Sequence, residues 1–461
     1  MNSILGAIND FLYSYILIIL LVLSGIYFTI KTHFSQIKLF PDAIRSLIDK
    51  TDKKKFSSFK ALMISTASRV GVGNIAGVAT ALVTGGPGSL FWMWVMAILG
   101  AASALIESVL AQIYKIRKGK EFYGGPSYYI QKALNARWLG ITFSILAIIC
   151  FSYGFNPLQA FNISASMEYC FPEYKSSIYP LIVGVILAIL TALAIFGGTD
   201  RIGFISSYVV PAMALIYISV GMFVFFKNHS KIPAVLSLVL ENAFDFKAIF
   251  GGFAGSSLLI GIKRGLFSNE AGMGSSPHAA ATADVSHPVK QGMAQVISVF
   301  IDTLLICSTT AFMVLLSGID LKSGLNGTKL VQEAVSTEIG SLGGYFIIFS
   351  TFAFAFTTII GNYCYAESNI FFIKGNNIAL NIFRVSCVLA VFWGSQADFA
   401  LVWNISDILM GFMAIVNIIA MFLLSNIALK TLNDYKKQKK LGKNPCLIAK
   451  NINLSNTEIW E

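Results

Sequence analysis

The run Ser65-Thr66-Ala67-Ser68-Arg69-Val70-Gly71-Val72-Gly73-Asn74-Ile75-Ala76-Gly77 sits inside an apolar segment from about Phe59 to Val83. A segment of that length and character crosses a bilayer, where a helix must satisfy its own backbone hydrogen bonds. Gly71, Gly73 and Gly77 oppose a continuous helix, so the spacing predicts a break. Broken backbone at membrane depth is tolerated only where it lines a cavity, and its freed amides then suit an anion and its freed carbonyls a cation. A second reading stays open, because Gly73 and Gly77 also have the spacing of a small-residue helix contact. Arg69 and Asn74 favour the site, since polar groups at that depth are costly and concentrate where function needs them.

The rest of the chain has the same character. Of 461 residues, 56% are hydrophobic and 12% charged, where a soluble domain carries about a quarter charged. Apolar runs of spanning length recur almost from end to end, roughly eleven by length and hydropathy. The net charge of +11 lies in alternate loops, which fits membrane orientation better than a nucleic-acid surface. Lys31, Lys38, Arg45, Lys50, Lys53, Lys54, Lys55 and Lys60 follow the first span, from about Leu12 to Ile30, and Lys430, Lys436, Lys437, Lys439, Lys440 and Lys443 follow the last. Both segments are therefore expected in the cytoplasm of a plasma (inner) membrane protein, with the N-terminus outside and no cleaved signal peptide. The cysteines form no CxxC pair and the histidines no metal-ligand spacing, so neither a structural zinc site nor a cofactor is expected. No nucleophile motif or Ser/His/Asp set recurs, and the chain does not read as an enzyme.

The fourth span, from about Leu139, passes Asn156-Pro157 and carries Gln159 and Asn162, with a kink predicted at Pro157. A seventh, from about Phe246, reads Gly251-Gly252-Phe253-Ala254-Gly255-Ser256-Ser257 and then Gly261-Ile262-Lys263-Arg264-Gly265. It is the second glycine-broken span, and Ser268 to His278 is expected to follow it in the cytoplasm. Counted from the broken second span, two sets of five begin on opposite faces, each with an interrupted helix. That is the sequence mark of a secondary transporter with its site near the bilayer midplane. The expected fold is all-α and membrane-integral: one N-terminal helix plus a 5+5 inverted repeat with discontinuous first helices. The expected organisation is 1–58 N-terminal helix and basic loop, 59–429 transporter core, and 430–461 basic tail.

The runs Gly71-Val72-Gly73-Asn74-Ile75-Ala76-Gly77-Val78, Gly85-Gly86-Pro87-Gly88-Ser89-Leu90-Phe91-Trp92-Met93-Trp94 and Asn269-Glu270-Ala271-Gly272-Met273-Gly274-Ser275 resemble the alanine or glycine:cation symporters, also called sodium:alanine symporters. The resemblance extends from about Phe59 to Asn417. It implies the inverted-repeat fold named for bacterial leucine transporters, and symport of a small neutral amino acid with Na+ as the co-transported ion. The backbone amides of Val72 and Gly73 are candidates for the substrate carboxylate, with Gln159 as the family's pocket glutamine. By the same resemblance, the carbonyls of Ala67 and Val70 with the hydroxyls of Thr357 and Thr358 would hold Na+. Adjacent threonines in a span also bond back to their own helix, and that alternative stays open. Asn74 is either a second ligand or a hinge-holding side chain.

Asn362 and Ala366 stand where the family pattern has tryptophan and glycine. An amide in place of a flat apolar wall enlarges and wets the pocket, which adds glutamine, serine and asparagine to alanine and glycine as candidate substrates. Arg69 beside the site and Glu270 near Lys263 and Arg264 are gate candidates. Arg69, Glu107, Glu168, Asp302, Glu367, Arg384 and Asp407, taken singly, read as paired structural ions or as charges near an interface. Proton coupling, which needs a titratable group in the core, is the alternative to Na+; a channel would need a ring of filters or a continuous polar pore, and one asymmetric broken pair fits that poorly.

Overall fold

The computed structural model describes residues 2–48, 58–119, 121–171, 173–197, 199–245 and 255–460. The expected glycine run Gly251-Gly252-Phe253-Ala254 lies outside the described residues. Among those described, the only strands are a short hairpin, β1 Ile116–Lys118 with β2 Glu121–Tyr123. Eight helices among the described residues are long and apolar enough to cross a membrane.

The N-terminal helix α1 (Ile4–Lys31) is followed by α2 (Phe40–Ile48). The first broken span comprises α3 (Ser58–Arg69) and α4 (Val78–Gly85), joined through a π-helical turn at Gly73–Gly77. Next come α5 (Ser89–Ile113), α6 (Pro126–Leu134), α7 (Arg137–Tyr169), α8 (Tyr179–Ile195), α9 (Thr199–Lys227) and α10 (Ile232–Ala243). The second broken span comprises α11 (Ser257–Asn269) and α12 (Ser276–Thr282). The chain ends with α13 (Pro288–Ser317), α14 (Thr328–Ile339), α15 (Leu342–Lys374), α16 (Asn377–Gly394) and α17 (Phe399–Lys440).

Packing of these helices displays the inverted repeat. α4 packs on α11, α5 on α13, α7 on α15 and α8 on α16, so four spans of the first set meet their counterparts in the second. The N-terminal helix stands outside the repeat and packs on α5 and α17. Large apolar side chains such as Leu181, Leu193, Leu215, Phe223, Ile382 and Leu389 are exposed, as lipid requires, while many polar ones are buried. Helices approach through small residues: a Cβ on Gly184 would lie 2.3 Å from Ser395 Oγ, and one on Gly25 would lie 2.7 Å from Leu99 Cβ. In α7 the kink at Pro157 takes the form of a π-helical turn over Cys150–Phe155. Proline has no N–H and crowds the carbonyl four residues back, here inside that turn.

Basic loops gather at one end. Lys439 pairs with Asp42 at 3.0 Å, Lys436 Nζ donates to Thr32 O at 2.9 Å, and Lys115 Nζ to Ala283 O at 2.6 Å. At the other end Gly88 N donates to Asn242 Oδ1 at 2.8 Å and Lys227 pairs with Glu338 at 3.1 Å. The alternation of loops follows the charge pattern.

The second broken span corrects two expectations. Its described break lies at residues 270–275, not at the Gly261 to Gly265 run, which is helical inside α11. The segment expected as a cytoplasmic loop is instead buried, with Glu270, Ala271, Met273, Ser275 and His278 each under 5% exposed. Lys263 and Arg264 are also buried within α11, held by Asp407 at 3.0 and 2.7 Å, so neither is a neighbour of a surface Glu270.

Candidate functional site

At the first break α3 ends with Val70 N donating to Thr66 O at 2.8 Å. Gly71 N turns to the Asn74 side chain, donating to Oδ1 at 3.0 Å, and Val72 N donates to Gln159 Oε1 at 3.0 Å. Two side chains thus take over the acceptor role that the helix has lost. The glycines allow close approach: a Cβ on Gly71 would sit 2.6 Å from Thr358 Oγ1, and one on Gly73 3.0 Å from the Phe267 ring.

The second break turns through left-handed backbone at Glu270 (φ 54°), Gly272 (84°) and Gly274 (92°). Its amides are met by Glu107 of α5, which accepts from Gly272 N and Gly274 N at 3.2 Å each, Ser276 Oγ at 2.6 Å and Asn417 Nδ2 at 2.8 Å. The first break touches the end of α11 and α13. Asn74 Nδ2 donates to Ser268 Oγ at 3.2 Å and to Asp302 Oδ1 at 2.7 Å. Asp302, in a π-helical turn of α13 over Phe300–Cys307, also accepts from Ser268 Oγ at 2.7 Å and Thr303 Oγ1 at 2.9 Å. Because the Gly71 N–H fixes the acceptor side of the Asn74 amide, its donor side faces Asp302.

Across the first break from α15, Thr358 Oγ1 lies 3.0 Å from Ala67 O and 3.2 Å from Val70 O. Three oxygens therefore converge, the donor type a hard cation takes. Thr357 does not join them: its hydroxyl donates to Ala353 O and Phe354 O of its own helix, both at 2.9 Å. Asn362 bridges two elements, accepting from Ser68 Oγ at 3.0 Å and donating to Asn156 Oδ1 at 3.1 Å. Ala67, Val70, Val72, Asn74, Gln159, Thr358 and Asn362 are thus all brought to one buried place.

The Val72 amide, a candidate for the substrate carboxylate, is bonded to Gln159 here. The gate candidates Arg69 and Glu270 are both buried, and no ion pair joins them among the described residues. Of the expected structural ions, Asp407, Glu367 with Arg384, and Glu168 with Lys175 and Lys329 are paired. Among the described residues Glu107 and Asp302 have no ion pair; they hold the two broken spans, a role that sequence reading missed. The signal was an acid deep inside an otherwise uncharged span.

A protein-family model described as the sodium:alanine symporter family matches residues 1–449. The chain belongs to that family. This sodium:alanine symporter family member is 46% identical over 462 residues to the amino-acid carrier protein AlsT of Bacillus subtilis, with 100% of this chain and 98% of the relative covered. It is 42% identical to the probable sodium/glutamine symporter GlnT of the same organism, covering 100% of this chain and 96% of the relative. Against the sodium/alanine symporter AgcS of Methanococcus maripaludis the figures are 35% identity, 95% and 98%. Among solved structures, the crystal structure of MhsT in complex with L-phenylalanine is similar at TM-score 0.55 and 13% identity, covering 82% of this chain and 99% of that one. That likeness shows a leucine-transporter-type fold, and the family match makes the chain a multi-pass membrane transporter.

Proposed function

We propose that this chain couples Na+ entry to uptake of a small neutral amino acid by alternating access, with the N-terminus outside and the basic tail in the cytoplasm of a plasma (inner) membrane. The observation that carries the reading is the meeting of two broken helices beside the Thr358 hydroxyl and the Ala67 and Val70 carbonyls. That oxygen set suits Na+, and the neighbouring Gln159 and Asn362 amides suit a zwitterion. Substrate binding is assigned to Val72, Gly73, Asn74, Gln159 and Asn362. Glutamine stands beside alanine and glycine as a candidate, because Asn362 supplies an amide to the pocket and GlnT, a relative, is named for glutamine. In proteoliposomes an inward Na+ gradient is expected to drive uptake of radiolabelled alanine, glycine or glutamine. Equal uptake with choline replacing Na+ would refute the coupling.

A second reading, proton coupling, has Asp302 in its favour, a buried carboxylate with no ion pair among the described residues and bonded to the broken helix through Asn74. A Bacillus subtilis relative 39% identical to this chain is named as a putative sodium/proton-dependent alanine carrier. Uptake driven by an inward pH gradient without Na+ would favour this reading over the first.

A further inference from the structure

On the side of the site toward the basic end lies a group of buried polar atoms without hydrogen-bond partners: Arg69 Nε and Nη2, Glu270 Oε2, and both side-chain polar atoms of Gln291 and of Gln295. Each of these residues is 3% exposed or less. Arg69 Nη1 donates to Gln295 O at 3.4 Å, which ties the arginine to the α13 face carrying both glutamines, one helical turn apart. α12, which follows the turn at Glu270, packs on α3, which ends at Arg69. A cavity of about 80 Å3 between α3, α15 and the β hairpin at the basic end is lined in part by Ile64, Tyr123, His278 and Tyr365.

Buried polar atoms are nearly always bonded, so a concentration of unbonded ones marks a place built for something else to bond. The chemistry of that ligand follows from the groups. Nε and Nη2 form the lateral edge of a guanidinium, the fork that receives a carboxylate through two parallel hydrogen bonds. Glu270 opposes it with a free carboxylate oxygen, an acceptor for an ammonium group. A cation and an anion that share one buried region, are not paired with each other, and keep bonding atoms free complement a molecule carrying both charges.

We propose that Arg69 and Glu270 form a second amino-acid subsite, displaced from the main site toward the basic end, where Arg69 takes the α-carboxylate and Glu270 the α-ammonium. Gln291 and Gln295 complete the hydrogen bonding. This deepens the amino-acid reading above and rests on it. None of the Ala67, Val70 and Thr358 oxygens belongs to this subsite, so its occupancy does not need Na+.

Equilibrium binding of radiolabelled alanine, and separately glutamine, to the purified full-length protein tests it. The wild type is expected to bind two amino acids per chain in Na+ and one in choline. Arg69→Lys keeps the charge but loses the fork, and Glu270→Gln loses the anion; each is expected to bind one in Na+ and none in choline, with the remaining affinity within about twofold of wild type. One amino acid per wild-type chain in Na+, or two in Na+ in a folded Arg69→Lys or Glu270→Gln variant, overturns the subsite and leaves the transporter reading intact. No binding of either probe to the wild type under any condition overturns both. Should a variant fail to fold, the wild-type count with and without Na+ decides.

Discussion

Thr357 and Thr358 are neighbours in sequence, yet only one faces the break. Successive helix positions differ by about 100° in direction, and here the second threonine points across to Ala67 O and Val70 O while the first bonds its own turn. Sequence could bring the pair to notice through its resemblance but could not divide it, because helical phase is set by what α15 packs against. Thr358→Ala is expected to raise the Na+ concentration for half-maximal uptake about tenfold, the effect of losing one ligand oxygen near a charge. Thr357→Ala should leave it within about twofold. Equal effects of the two substitutions in Na+-titrated uptake would remove Thr358 from the cation site. Asn362 differs again: its departure from the family pattern was visible, but its bonds to Ser68 and Asn156 were not. Asn362→Trp should shift a competition panel away from glutamine and toward alanine and glycine; an unshifted panel places Asn362 outside the pocket.

The interrupted helices show what glycine spacing can and cannot locate. The first break falls where Gly71 and Gly73 predict it. The described second break, at 270–275, was not legible, because its freed amides find their acceptor in Glu107, about 165 residues earlier. A run of glycines marks permissive backbone, whereas a break also needs partners for the groups it frees, and those are tertiary. Glu107→Ala leaves the Gly272 and Gly274 amides and the Ser276 hydroxyl without that acceptor, with an expected loss of about 3 kcal/mol or more. Glu107→Gln keeps one acceptor oxygen and should lose less. Thermal unfolding in detergent orders the three proteins; an unchanged midpoint for Glu107→Ala would mean the loop holds its shape without the carboxylate. Gly274→Ala is a separate test of backbone geometry. Its φ of 92° and a Cβ 2.7 Å from the Phe143 ring predict a loss of about 2 kcal/mol or more.

At the scale of the whole molecule, the inverted repeat was legible from span order and charge alternation alone, since lipid leaves a chain few ways to cross it. The tail was legible only as charge. Helix α17 continues through the basic residues to Lys440, and the chain then folds back across the basic end. Leu447 N donates to Ser286 O at 2.9 Å, Ala449 N to Trp460 O at 2.8 Å, and Trp460 Nε1 to Gln112 O at 2.8 Å. Trp460 packs in a small cluster with Ala61 of α3, Ala283 and Val285 just beyond α12, and Leu447 and Ala449 of the tail itself. This cluster is separate from the larger apolar cores between the helices. Trp460→Ala removes its largest member at a cost of about 3 kcal/mol or more. The loss should fall on the tail alone, because the helices bury their own contacts elsewhere. Trypsin is therefore expected to cut after Lys443 and Lys450 much faster in Trp460→Ala than in wild type, with the thermal midpoint of the helical core unchanged. A tail equally resistant in both proteins would show that the backbone bonds at Ser286 and the Lys132–Glu458 pair at 2.6 Å hold it without the indole.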